Sequence, residues 1–178
     1  MRTLILALLA ILSIAQDHAQ EPNALLKELP QSKLTLADGI RHAAKGKDEV
    51  SISAKFELDD NRKLSLSVYT AEKGLAVDAE HNVLKELAGS PEAPQWAPET
   101  EVFKDVEHIS RSATQLTLMS LSKVTLLDII GKAEKTQKGT VFSIKPLLQD
   151  RKARFVVLIA SEGKVVELNY DLMTGEEK

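Results

Sequence analysis

The side chains best suited to moving protons near neutral pH are four histidines, His18, His42, His81 and His108. Their spacing matches no metal-binding or catalytic pattern, and each reads as a surface residue. The chain has no cysteine, which removes thiolate nucleophiles, disulfides and cysteine metal sites together. It also lacks His-Glu-x-x-His, Gly-x-Ser-x-Gly and a glycine-rich phosphate loop. The carboxylates of Glu176 and Glu177 are adjacent but lie in a C-terminal tail. Asp59-Asp60-Asn61 lacks the ligand and glycine spacing of a calcium loop, so it reads as a hairpin turn. The expectation is a protein with no catalytic residues, no metal site and no cofactor. What remains for function is contact with a partner, and two sets of residues suit it. Trp96 stands within the proline-rich stretch SPEAPQWAPE, where it either faces a partner or tacks that stretch onto the body of the protein. Ser51, Ser53, Ser65 and Ser67 line the outward faces of two strands, as small polar residues that could lie against another protein or simply be solvated.

These residues need elements to position them, and the sequence supplies a pattern that occurs twice. Ser32-Lys33-x-Thr35-Leu36-x-Asp38 returns as Ser122-Lys123-x-Thr125-Leu126-x-Asp128. In both, Thr followed three residues later by Asp is a capping signature for a helix start. Leu36, Ile40 and Ala43 form one helical face, and Leu126, Ile129, Ile130 and Ala133 form a fuller one that ends near Gly139. Val50 to Leu58 then alternates with period two, with Ser51, Ser53, Lys55 and Glu57 on the wet face, and Leu64, Leu66 and Val68 alternate again. Leu75 and Val77 begin a third short strand, followed by a turn in which Asn82 takes a left-handed conformation in the place of Gly175. The later segments Val141 to Leu148, Phe155 to Ala160 and Val165 to Tyr170 are also strand-like. Pro146 places the first of these at an edge or a bulge. Phe155 to Ile159 is apolar on both faces, as in a strand covered from each side. The three prolines of the 90–99 stretch make a stiff linker. A helix follows from Glu99 to Ala113, its apolar stripe at Val102, Val106, Ile109 and Ala113.

The fold expected from this is α+β, two tandem repeats, each a helix packed on a small antiparallel sheet. Residues 32–89 form the first repeat, 90–99 the linker, 100–121 a connecting helix and 122–178 the second repeat. A net charge of -3 and a pI near 5.9 give no basic excess for phosphates, so nucleic acid is not an expected partner. Arg2, the apolar run from Leu4 to Ile14 and Ser13-Ile14-Ala15 read as a signal peptide over residues 1–15, cleaved after Ala15 or, as second choice, Ala19. That run is too short to span a bilayer, for which ~20 apolar residues are needed. Residues 16–31 read as a leader segment with one helical turn.

A capped helix, a strand hairpin, a third strand and Asp171-Leu172-Met173-Thr174-Gly175-Glu176 together resemble the PepSY domain and the PepSY-like tandem modules of bacterial secreted proteins. The first copy departs from the motif, with Asp78-Ala79-Glu80-His81-Asn82 in the corresponding place. The resemblance implies a bacterial periplasmic or secreted module that binds or inhibits another exported protein and has no catalytic residues. The function expected is therefore a non-catalytic binding module, inhibiting or chaperoning a protein such as a hydrolase. The alternative is a structural or assembly component of the cell envelope.

Overall fold

The computed structural model describes residues 22–178. The expected signal sequence and its cleavage sites lie outside the described residues. Within the expected 16–31 segment, residues 22–31 form α1 (Pro22–Glu28) and a 3-10 turn (Leu29–Gln31), and Leu25 and Leu29 are buried in the core.

Two helices start as their sequences dictate. In α2 (Leu36–Ala43) the Thr35 hydroxyl accepts from the Asp38 N–H, while the Asp38 carboxylate accepts from the Thr35 N–H and hydroxyl. Thr125 and Asp128 build the same capping box on α4 (Leu126–Thr136). The preceding serines match as well: Ser32 Oγ bridges the Leu34 N–H and carbonyl, and Ser122 Oγ does the same at Val124. The predicted stripe of α4 is the buried one, with Leu126, Ile129, Ile130 and Ala133 all inside.

The strands are β1 (Val50–Leu58), β2 (Leu64–Ala71), β3 (Leu84–Gly89), β4 (Glu99–Val102), β5 (Thr140–Gln149), β6 (Lys152–Ser161) and β7 (Lys164–Asp171). They form one seven-stranded antiparallel sheet in the order β4-β3-β2-β1-β5-β6-β7. This overturns the expected pair of repeats with separate small sheets. β1 and β5 pair through Ala54 with Ile144 and Lys55 with Ser143, which fuses all seven strands into one sheet with one contiguous core. β5 is thus interior. Its irregularity falls between Val141 and Ser143, and Pro146, which has no N–H to donate, lies beyond the last β1 pair.

Three further expectations fail for identifiable reasons. Leu75 and Val77 belong to a loop, and the third strand begins only at Leu84. Asn82 closes that loop with its side chain: its amide donates to the Gly74 and Val77 carbonyls and its oxygen accepts from the Lys73 and Val83 N–H groups. Its φ is not positive, so it is no counterpart of Gly175, whose φ is 66°. The stretch read as a helix from Glu99 begins instead as β4, and α3 (Val106–Leu121) follows, capped by Asp105. Of the expected stripe Val102, Val106 and Ile109 are exposed and Ala113 is half-buried, while α3 buries Ser112, Gln115, Leu116, Leu118 and Met119.

Helices α2 and α4 touch each other on one face of the sheet, where Gly39 brings α2 against Leu66. α3 crosses the opposite face. Its position is fixed by a hydrogen bond of 2.7 Å from Ser53 Oγ to Gln115 Oε1, since Ser53 points away from Ala54 and Phe56. At the start of α3, Phe103 lies between the Tyr69 ring at 5.9 Å and the His108 ring at 5.1 Å.

Candidate partner-binding face

The register of the sheet determines which side chains share α3's face. Lys55 pairs with both Ser67 and Ser143, and Ser53 stands two residues before Lys55, so all four point toward α3. Continuing across β6 and β7, Ser143 aligns with Leu158 and Glu167, Lys145 with Val156 and Asn169, Leu147 with Arg154 and Asp171, and Ala160 with Val165. The main contacts of α3 fall on β5, β1 and β3. On this face β6 and β7 are therefore only partly covered: Leu158 and Ala160 are half-buried, and Val165 is 41% exposed. On the opposite face Phe155, Val157, Ile159 and Tyr170 are sealed in the core beside α4. The sequence expectation that β6 is covered from both sides is thus met in full toward α4 and in part on the other face, where Val156 is buried. Val156 is buried yet stands outside the contiguous core cluster.

This face carries a polar network of its own. Asn169 links two charges, donating from Nδ2 to Glu167 Oε1 at 2.9 Å and accepting at Oδ1 from Arg154 Nη1 at 3.3 Å. The Arg154 Nε is buried without a hydrogen-bond partner. Lys145 is half-buried, and no hydrogen bond or ion pair of its ammonium falls among the described residues. Asp171, across from Arg154, is turned the other way: its carboxylate accepts from the Met173 and Thr174 N–H groups and meets Lys178 Nζ at 3.3 Å. Those bonds hold its pKa below the ordinary carboxylate value, the Thr174 N–H contributing most.

The residues picked out from sequence lie elsewhere. Ser51, Ser53 and Ser67 are buried, and Ser65 is half-buried. Ser53 is bonded to α3, and Ser67 donates to Glu57 Oε1 at 2.7 Å. The face they were to offer is covered by the chain's own helix. Trp96 is also buried, donating to the Gly89 carbonyl and meeting the His42 ring edge-on at 5.2 Å. It ties the proline-rich stretch to the body of the protein. Sequence reasoning passed over Lys145, Arg154 and Leu158, because charges on a strand are ordinary and Leu158 read as core. The available signal was the double apolar face of β6.

Chemistry beyond binding has little to work with among the described residues. His81 and His108 pair with Asp78 and Asp105 in local turns, and His42 packs on Trp96. Burial lowers the pKa of His42, with Lys45 adding to the effect. Asp78, Glu80 and His81 bring three potential ligand atoms together, but all three are exposed, and Asp78 is already engaged by the N–H groups of Glu80 and His81. A shallow depression beside α1 is lined by Asn23, Ala24, Lys27, Glu28, Leu58 and Arg62 and holds no cluster of catalytic groups. No helix among the described residues is long and apolar enough to cross a membrane.

No family model matches the chain, and no curated protein matches it, so the resemblance to PepSY modules gains no support. Among solved structures it is similar to a candidate lipoprotein of Clostridium difficile 630, at 19% identity and a TM-score of 0.41, over 83% of this chain and 91% of that one. A likeness that slight carries no functional argument.

Proposed function

We propose that the protein is a non-catalytic binding module that holds another exported protein against the open face of β5, β6 and β7. One observation carries this reading. β6 is apolar on both faces; the fold seals the face toward α4 and buries Val156 on the other, but leaves Leu158, Ala160 and Val165 of that face in partial contact with water. Burying such side chains is worth about 25 cal/mol per Å² of apolar surface. A folded protein that leaves them uncovered beside polar groups has the layout of an interface, an apolar centre with a polar rim. His81 and His108 are engaged in local turns.

The test is a photo-crosslinking residue placed at Val165 or, as a control, at the exposed Lys63 of the distant hairpin, in the native host. An adduct from Val165 and none from Lys63 supports the reading, and equal labelling or none at Val165 overturns it. If the captured protein is a hydrolase, adding this protein should lower its activity in the inhibitory form of the proposal. Export is checked by intact mass of the native protein, which should begin after Ala15 or Ala19.

A further inference from the structure

We infer that the open face recognises a carboxylate flanked by apolar side chains, presented by a segment of the partner protein lying across β6. The inference rests on the binding-face reading above and adds the chemistry of what binds. Its basis is two half-buried cations that have no acid as a partner among the described residues. Lys145 and Arg154 are diagonal neighbours across β5 and β6, because Lys145 pairs with Val156 and Arg154 stands two residues before it. Diagonal positions on one face stand about 7–8 Å apart, within reach of two long side chains converging on one anion. Lys145 has no polar partner among the described residues, and Arg154 has the Asn169 side chain alone, with its Nε buried and unpaired.

The nearby acids are committed elsewhere. Asp171 is held by its own turn and Lys178, and Glu167 accepts from Asn169. Two like charges side by side repel, and a buried guanidinium N–H without an acceptor is costly. One incoming carboxylate would neutralise the pair, accepting charge-assisted bonds from the guanidinium and the ammonium. Val156, Leu158 and Leu147 surround the pair, so the segment that brings the carboxylate must be apolar beside it. A lone small anion would leave that surface wet.

The experiment selects binders from a random peptide display library on the intact protein and measures their affinity for the wild type, K145Q/R154Q and L158K. Expected are sequences with Asp or Glu between apolar residues, which lose about ten-fold or more in affinity on K145Q/R154Q and also fail on L158K. The melting curve verifies that each variant folds, and K145Q alone replaces the double variant if that one does not. Binders without an acid that still fail on L158K overturn the carboxylate inference and leave the binding face standing. Binders indifferent to L158K, or none at all, overturn both.

Discussion

Gly139 and Gly131 show how differently one residue type is constrained in a single short stretch. Gly139, between α4 and β5, has a φ of 145°, and a Cβ there would lie 2.4 Å from the Ala160 carbonyl oxygen and 2.7 Å from Ile159 Cγ2. Both obstacles are rigid, one being backbone and the other a core side chain. Gly139→Ala should therefore cost roughly 1–3 kcal/mol from overpacking, with backbone strain added. Gly131, inside α4, has nothing within 4 Å of the same position. Gly131→Ala should raise stability by about 0.5–1 kcal/mol, the helix-propensity difference. Denaturant midpoints moving in opposite directions confirm the pair of expectations, and a loss at Gly131 refutes the second. The capping boxes add a dependence on pH. Hydrogen bonds from Thr125, its backbone N–H first, hold the Asp128 pKa below the ordinary value of 3.8, and Asp38 is lowered likewise by Thr35. A carboxylate with a depressed folded-state pKa contributes its full stabilisation above the unfolded value, and loses it as pH falls through the folded one. Stability should thus decline below about pH 4, and Asp128→Asn should flatten part of that decline while lowering the midpoint at neutral pH.

Helix α3 shows why some elements were legible in the sequence and others were not. α4 could be read because it packs an apolar stripe against an apolar sheet face, so that periodicity and burial coincide at Leu126, Ile129, Ile130 and Ala133. Ile129→Ala should cost about 2–5 kcal/mol for this reason. α3 lies on the serine face instead, and it buries Ser112 and Gln115 while Val106 is left 84% exposed. A helix that buries polar groups inverts the rule by which its face was chosen, and its start was misread as well, because Glu99 to Val102 pairs with β3. The buried serines were correctly placed on one face, but nothing local indicates that a helix 62 residues further on returns to cover them. The open face was legible only in half: the apolar run of β6 is plain in the sequence, whereas the company of Lys145, Arg154 and Leu158 depends on register across three strands. The seam under α3 is directly testable. Gln115→Leu leaves the Ser53 hydroxyl buried without its acceptor and should cost about 1–3 kcal/mol. Adding Ser53→Ala should recover most of that loss, and a double variant no more stable than Gln115→Leu alone would show that the hydrogen bond is not what matters there.

Taken as a whole, the molecule is held together across its middle by contacts that two separate modules would not share. β1 meets β5 over a short ladder, α2 touches α4, and α3 reaches from β3 across β1 to β5. The ladder is short in register, with two pairs beside an irregularity in each strand. The helices on the two faces add to the junction, by burying the core that both halves of the sheet contribute to. Small chains without disulfides bury too little surface to be stable alone, and each half here would also expose a long strand edge at β1 or β5, the kind of edge that invites aggregation. Residues 31–89 and 100–178 expressed separately should accordingly fail to unfold cooperatively at the midpoint of the whole chain. In the second fragment α3 keeps β5 but loses β1 and β3, so its amide protons should exchange faster than those of α4. Halves that each unfold cooperatively, with transitions that add to that of the full chain and with α3 as protected as α4, would mean that the shared sheet contributes nothing to stability.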